Sequence, residues 1–314
     1  MAYKIGSFNM YKFQAYRSDE IIKKDLDMLK YIIAEEQFDI VAMQEILGET
    51  PMNMILKRLG SSWKGAWGKP NSKSEWAAEG YAFIWNERRI QLAESTTASG
   101  KRTYYPRIYK QYRIDRKAGQ QDLVRDPFYA RFKPKYENYE FRIINTHIMF
   151  SKNKSQEDED FIQLGDITMR KNELDILIRN IYSKENTWRY GNNLPAYTIL
   201  LGDYNLNLKR KWTNSPYLEE VIVIEDNNYT YKVRTVQDQL TTIKNRSRLN
   251  PEEPVRGYAN NYDHFSYDDD RFSDLHPKVM RVDSVRDYCN DDFERHRKEI
   301  SDHIPIVMEI DLKR

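Results

Sequence analysis

Short apolar runs that each stop on a polar, chemistry-capable residue recur along this chain, and they constrain its fold more than anything else in it. "YKIGSFN" ends on Asn9, "DIVAMQE" on Gln44 and Glu45, "FRIINTH" on Asn145 and His147, and "TILLGDYN" on Asp203 and Asn205. Asp263 and His264 stand in "NNYDHFSY", and Asp302 and His303 directly precede "IPIVMEI". The runs are four to eight residues long and rich in β-branched and aromatic side chains, so they read as strands. A single Asp-Asn after a glycine is usually a turn, and a lone strand-end histidine is usually structural. Repetition is harder to explain that way, because strand ends gather on one rim of a sheet, where loops converge.

Helical periodicity appears between the strands. "SDEIIKKDLDMLKYIIAEE" spaces Ile22, Leu26, Leu29 and Ile33 along one face, with Ser18 as the expected N-cap. "DFIQLGDITMRKNELDILIRNIYSK" aligns Ile167, Leu174, Leu177 and Ile181. Helices mixed with neighbouring strands predict an α/β domain with flanking helices, not a strict βαβ alternation. The length of 314 residues suits one large domain, and a 40% hydrophobic content can fill its core. Segments 61–80, 96–122, 205–217 and 226–262 read as long loops. No repeat or low-complexity linker divides the chain.

Composition excludes several classes. With 31% charged residues and a mean hydropathy of −0.83, the surface is strongly polar. No apolar run reaches the roughly 18–20 residues a membrane span needs. The N-terminus shows neither a basic n-region nor an apolar h-region, and the single cysteine, Cys289, has no internal disulfide partner. The expectation is a cytoplasmic protein without stable membrane association. A net charge of +2 is no nucleic-acid signature. Locally, "KRTYYPRIYKQYRIDRK" carries seven basic residues, one acidic residue and four tyrosines. Lys101, Arg102, Lys110 and Arg113 there are candidates for holding a polyanion by charge beside aromatic faces, the alternative being a solvated basic loop.

The polar strand ends define a chemistry. Glu45, Asp302 and Asn9 offer oxygen ligands, which select a hard cation, Mg²⁺ first and Mn²⁺ second. Asp203 with Asn205 can orient or deprotonate a water, and histidines with acidic partners can hold charge or move protons. Together these groups suit hydrolysis of a phosphate ester. No Walker loop or nucleophile motif is present.

In sequence order, "SFNM", "MQE", "NTH", "GDYN", "YDHF" and "SDH" resemble the motifs of the endonuclease/exonuclease/phosphatase superfamily, in particular its deoxyribonuclease I-like branch. The resemblance spans almost the whole chain. It implies a single domain over residues 1–314, a four-layer α-β-β-α sandwich of two packed mixed or antiparallel sheets, with loop insertions near 101–122, 205–217 and 226–262. It also implies that Glu45 binds the metal with Asn9 and Asp302 nearby, and that Asp203 and Asn205 handle the water or a phosphate oxygen. His303 would pair with Asp263, and His147 would be the second acid-base group. "AAEGYAFIWN" resembles the stretch that sets a glutamate, here Glu79, beside the first histidine, and "DLVRDPFYARFK" resembles one whose arginine, here Arg125, contacts a DNA phosphate. The implied function is a Mg²⁺-dependent DNA phosphodiesterase, most simply an endonuclease. A ribonuclease, or a lipid phosphodiesterase or phosphatase of the same superfamily, is the alternative. A protein partner could use the long loops. The basic insertion at 101–117, "LKRKW" at Leu208–Trp212 and the loop 226–262 have no counterpart in the resemblance.

Overall fold

The computed structural model describes residues 2–14, 24–70, 79–96, 102–103, 106–109, 123–150, 167–190, 194–208, 218–226, 229–244 and 257–311. In chain order, the first half runs β1 (Ala2–Phe13), α1 (Leu26–Glu35), β2 (Ile40–Ile46), α2 (Glu49–Leu59), β3 (Trp63–Gly68), β4 (Gly80–Asn86) and β5 (Ile90–Leu92). The two-residue strands β6 (Ser95–Thr96), β7 (Arg102–Thr103) and β8 (Arg107–Ile108) precede β9 (Phe128–Pro134) and β10 (Glu140–His147). A helix follows, α3 (Ile167–Ile176), passing through a π-helical turn (Leu177–Tyr182) into α4 (Ser183–Thr187). The last half continues with β11 (Ala196–Asp203), β12 (Val221–Asp226), β13 (Tyr229–Val236), β14 (Asp263–Asp268), β15 (Lys278–Arg281), α5 (Ser284–Cys289), α6 (Phe293–Arg295) and β16 (Ile306–Asp311).

Two sheets result. One is six-stranded in the order β15-β16-β1-β2-β4-β3; the other is eight-stranded, β12-β13-β14-β11-β10-β9-β5 with β8 against β9. Strand alternation decides how they stack, because successive side chains point to opposite faces. Ile40 and Ala42 of β2 face Ile143 of β10 and Ile199 and Leu201 of β11 in the layer between the sheets. Their neighbours Val41 and Met43 face outward onto Leu29, Ile32 and Ile33 of α1 and Ile55 of α2. On the other side, Ile144 and Leu200 pack on Leu174 of α3 and on Leu177 and Ile181 of the π-helical turn. The architecture is the expected α-β-β-α sandwich.

Each sheet has one parallel pair at its centre. β1 and β2 run side by side from Ile5↔Ile40 to Asn9↔Gln44, and β10 and β11 from Glu140↔Ala196 to His147↔Asp203. Both pairs finish at the same rim, where Gln44 Nε2 donates to Asn145 Oδ1 at 2.7 Å and Asn145 Nδ2 donates to the Met43 carbonyl at 3.0 Å. These fully buried amides fasten the sheets together beneath the rim, and leaving either unpaired costs about 1–3 kcal/mol.

Two expectations change. Within the described residues, α1 begins at Leu26 with Asp25 as its cap, accepting from the Met28 N–H at 2.9 Å; Ser18 lies outside them. Parts of the anticipated loops are sheet: β3 falls in 61–80, β13 in 226–262, and β6, β7 and β8 touch 96–122. Their aromatic and β-branched residues find strand partners that local pattern does not reveal. Gly202 lies inside its strand, since pairing continues through Thr146↔Gly202 to His147↔Asp203. The glycine serves a close approach: its φ is 137°, and a Cβ there would lie 1.9 Å from the Thr146 carbonyl oxygen. Gly202→Ala should therefore lower the melting temperature by 10 °C or more, or prevent folding, on the scale of about 3–4 kcal/mol for a severe backbone clash. A variant melting within 2–3 °C of wild type, read by circular dichroism, would contradict this placement.

Candidate active site

The site is built where the parallel pairs end. β10, β11 and β14 present His147, Asp203 and Asp263 at one register line, His147↔Asp203 and Asp203↔Asp263. The facing sheet supplies Asn9 and Glu45, with His303 just before β16 and Glu79 just before β4. An irregularity between Asn9 and Phe13 breaks the β1–β2 register. There Tyr11, Lys12 and Glu45 adopt φ of 45°, 49° and 60°. Left-handed backbone is costly for such residues and tends to occur where function over-determines it. It lets Glu45 Oε2 accept the Lys12 N–H at 2.9 Å while its other oxygen turns to Asn9.

Asn9 is the hinge of the cluster. Its Nδ2 donates to Glu45 Oε1 and to Asp203 Oδ2, each at 3.0 Å, and its Oδ1 accepts the Tyr11 N–H at 3.0 Å. The amide nitrogen, not the oxygen, thus faces the carboxylates. His303 donates or shares a proton through Nδ1 with Asp263 Oδ2 at 2.8 Å, and its Nε2 lies 3.6 Å from Asp203 Oδ2 and 4.0 Å from Asp302 Oδ1. Its loop is tied down by the His303 N–H bond to Ser301 Oγ (3.0 Å) and the Ser301 hydroxyl bond to the Asn9 carbonyl (2.7 Å). His147 faces the same centre: Nε2 is 3.6 Å from Asp203 Oδ2 and 3.9 Å from Glu45 Oε1, while Nδ1 is 3.5 Å from Glu79 Oε2.

Arg125 is buried rather than free at the surface. It donates Nη2 to Glu79 Oε2 at 2.6 Å and Nη1 to the His147 carbonyl at 3.4 Å, leaving Nε without a protein partner. Asn205 (φ 51°) donates Nδ2 to the Ile148 carbonyl at 2.8 Å, and its N–H is held by Asp203 Oδ1 at 2.8 Å. Because the strand ends at Asp203, Asn205 reaches the site through this turn rather than by strand alternation. Asp302 pairs with Arg297 at 3.2 Å and keeps Oδ1 buried and unpartnered.

Among the described residues, two groups could hold a cation: Glu45, Glu79 and His147; and Asp203, Asp263 and His303. Asp302 joins neither, although its charge reaches Glu45. Four of the six residues in these groups are carboxylates, whose oxygens fit a hard divalent cation. Of the basic-loop candidates, Lys101, Lys110 and Arg113 lie outside the described residues, and Arg102 is described only as backbone in β7. Tyr109 of that segment is buried against Tyr129, so not all of its tyrosines are available to a ligand.

Several contributors carry no sequence signal. The Tyr81 hydroxyl accepts the His147 N–H at 3.1 Å. Lys24 is buried, donates to the Ile300 carbonyl at 2.7 Å and sits 5.4 Å from the Tyr11 ring. Arg170 donates to the Asn205 carbonyl. They come from distant elements brought in by packing. His264 is structural, its Nε2 lying 2.8 Å from the Leu206 carbonyl and 3.0 Å from that of Asn261.

Electrostatics separate the two histidines. Burial disfavours a charged His303, but Asp263, Asp203 and Asp302 outweigh it and raise its pKa well above the usual value. Burial, with the Arg125 and His303 charges, pushes His147 well below it. Burial and neighbouring carboxylates push Glu45 up to about 7, and burial above all, with Asp263 and Glu45, pushes Asp203 up to about 7 despite His303.

No protein-family model matches this chain, and no curated protein does. Solved structures do. The chain is similar to the endonuclease/exonuclease/phosphatase from Bacteroides vulgatus, at 13% identity and TM-score 0.53 over 100% of both chains. It is similar to D. rerio TDP2 complexed with single strand DNA product, at 14% identity and TM-score 0.54 over 99% of both chains. It is also similar to ANGEL2, a 2′,3′-cyclic phosphatase, at 11% identity and TM-score 0.55 over 98% of this chain and 95% of that one. At such identities the likeness establishes the fold, and this chain has the endonuclease/exonuclease/phosphatase fold. Among the described residues no helix is long and apolar enough to cross a membrane.

The raised carboxyls set a pH dependence. Glu45 and Asp203 hold protons in the folded chain up to about pH 7, above the usual carboxylate range, so their contribution to stability falls as pH rises towards 7. The stability from raised His303 is likewise lost as pH rises through its folded value, whereas lowered His147 loses its contribution as pH falls below 6.5. A cation prefers the ionised carboxylates and must displace their protons below pH 7. Millimolar Mg²⁺ should therefore raise the melting temperature more at pH 8 than at pH 6, and Glu45→Gln should remove most of the difference. An equal Mg²⁺ shift at both pH values would overturn the assignment.

Proposed function

We propose that this protein is a divalent-metal-dependent phosphodiesterase that hydrolyses nucleic acid, with DNA as substrate and endonucleolytic cleavage as the leading mode. The observation that carries the reading is the juxtaposition of Glu45 and Asp203 from opposite sheets, joined by Asn9 and flanked by one histidine favouring its charged form and one held neutral. Structures that share the fold include a 2′,3′-cyclic phosphatase and a protein complexed with a single-strand DNA product, which supports phosphoester chemistry.

Glu45 would hold the cation with Asp302 close by, while Asn9 aligns Glu45 with Asp203 through its Nδ2. When bound, Mg²⁺ would supply Lewis-acid stabilisation of the phosphate oxygens. Asp203 orients an attacking water and takes its proton, which a carboxylate with a pKa of about 7 can do near neutral pH. Asn205 completes the turn that fixes Asp203. His303, kept charged by Asp263, neutralises charge growing on the phosphoryl oxygens. His147, oriented between Glu79 and Asp203 and held neutral, would donate a hydrogen bond to a phosphate oxygen, and the protonated His303 holds the proton that the leaving oxygen needs. Arg125 holds Glu79 and would add its charge to phosphate recognition. Lys101, Arg102, Lys110 and Arg113 would add backbone charge contacts.

Purified protein with Mg²⁺ should nick plasmid DNA, and EDTA should stop it. Asp203→Asn and His303→Ala should each lower turnover by roughly 10²–10⁴-fold, the scale of an acid-base group. Intact DNA and RNA together with cleavage of sphingomyelin or a phosphoinositide would replace the nuclease reading with the lipid one.

A further inference from the structure

Phe150 lies three residues beyond His147 and leaves 40% of its surface exposed. Its ring centroid is 6.4 Å from that of Tyr262, with the planes tilted by 40°. Tyr262 immediately precedes Asp263, and its carbonyl accepts the Tyr204 N–H at 2.8 Å, which fixes it between the Asp263 strand and the Asp203–Asn205 turn. Behind both rings stands Arg170 of α3, itself buried. Its guanidinium carbon lies 4.9 Å from the Phe150 centroid, a nitrogen donates to the Asn205 carbonyl, and the group acts on the Tyr262 hydroxyl. A single exposed aromatic needs no explanation. This one is held in place by a second ring and a buried cation, at the margin of a cluster built for phosphate chemistry.

We propose that Phe150 and Tyr262 form a stacking platform for a nucleobase next to the cleaved phosphate, so that the substrate is nucleic acid with an unpaired base at that position. The inference rests on the phosphodiesterase reading above and narrows its substrate. Every base offers a π-face, so such a platform adds affinity without selecting sequence. The Arg170 charge behind the Phe150 ring strengthens its interaction with an electron-rich partner and disfavours an acyl chain, which would need a wider apolar surface than one exposed ring. In a paired duplex the base is already stacked and hydrogen-bonded, so on plasmid DNA the platform takes a base that has left the stack.

The test compares kcat/KM with Mg²⁺ for thymidine 5′-(p-nitrophenyl phosphate) and methyl p-nitrophenyl phosphate, which share a leaving group and differ in the nucleoside. Wild type should prefer the thymidine ester. Phe150→Ala should reduce that preference roughly 10-fold, within the range of one base–aromatic stack, while Phe150→Trp should retain it. A preference unchanged in Phe150→Ala would overturn the platform. Binding of 5′-fluorescein-labelled dT6, followed by anisotropy with Ca²⁺ in place of Mg²⁺, separates the two readings. If neither ester turns over, the phosphodiesterase reading fails, and a roughly 10-fold weaker dT6 affinity in Phe150→Ala still upholds the platform. Equal affinity of wild type and Phe150→Ala, or no binding by wild type, overturns it.

Discussion

One amide nitrogen, Asn9 Nδ2, bonds to Glu45 and to Asp203 at 3.0 Å each, and through it two buried carboxylates from opposite sheets come to lie together. Like charges a few ångströms apart in a partly desolvated site repel by several kcal/mol, even at an effective dielectric constant near 20. One neutral amide cannot cancel that. Burial adds more than the repulsion does: it is the first cause of the upward shift of both carboxyls to about 7, with Glu79 and Asp302 adding to it at Glu45, and Asp263 and Glu45 adding to it at Asp203 against the charge of His303, so the cluster favours taking up protons or a cation. Metal binding, pH response and catalysis share this origin.

Much of the surrounding structure serves to keep that juxtaposition in place. The buried Gln44–Asn145 bond fixes the spacing of the sheets one step below the rim. The irregularity after Asn9 turns Glu45 inward at φ 60°. Gly202 lets β10 approach β11 closely just before Asp203, where any side chain would meet the Thr146 carbonyl. Ser301 links the His303 loop to the Asn9 carbonyl. Backbone strain and buried polar bonds are thus concentrated where the two sheets meet, and apolar packing elsewhere holds them there.

The parts of this arrangement legible in the sequence are those encoded locally. The short apolar runs "DIVAMQE", "FRIINTH" and "TILLGDYN" mark strands and their polar ends, and the motif order points to the sandwich and to a rim gathering Asn9, Glu45, His147, Asp203, Asp263 and His303. What local pattern could not show are relations set by packing. That Asn9 turns its nitrogen rather than its oxygen to the carboxylates depends on the Tyr11 N–H occupying Oδ1. Arg125 is buried because Glu79 and the His147 carbonyl claim it. Arg170 and Lys24 reach the site from stretches whose sequences read as ordinary helix. β3 and β13 were hidden in apparent loops because strand formation there depends on partners far along the chain.

The two histidines complete the logic, since identical side chains are driven apart by their neighbours: Asp263 on one, Arg125 and burial on the other. The central claim is that the Asn9-linked carboxylates hold protons that a cation displaces. Calorimetric titration of Mn²⁺ into metal-free protein, in buffers of different ionisation enthalpy, measures those protons directly. The account predicts proton release on binding that is greatest below pH 7, fades towards pH 8.5, and is reduced in Glu45→Gln together with the affinity. Binding that releases no protons at pH 6, or is as tight in Glu45→Gln as in wild type, would contradict it.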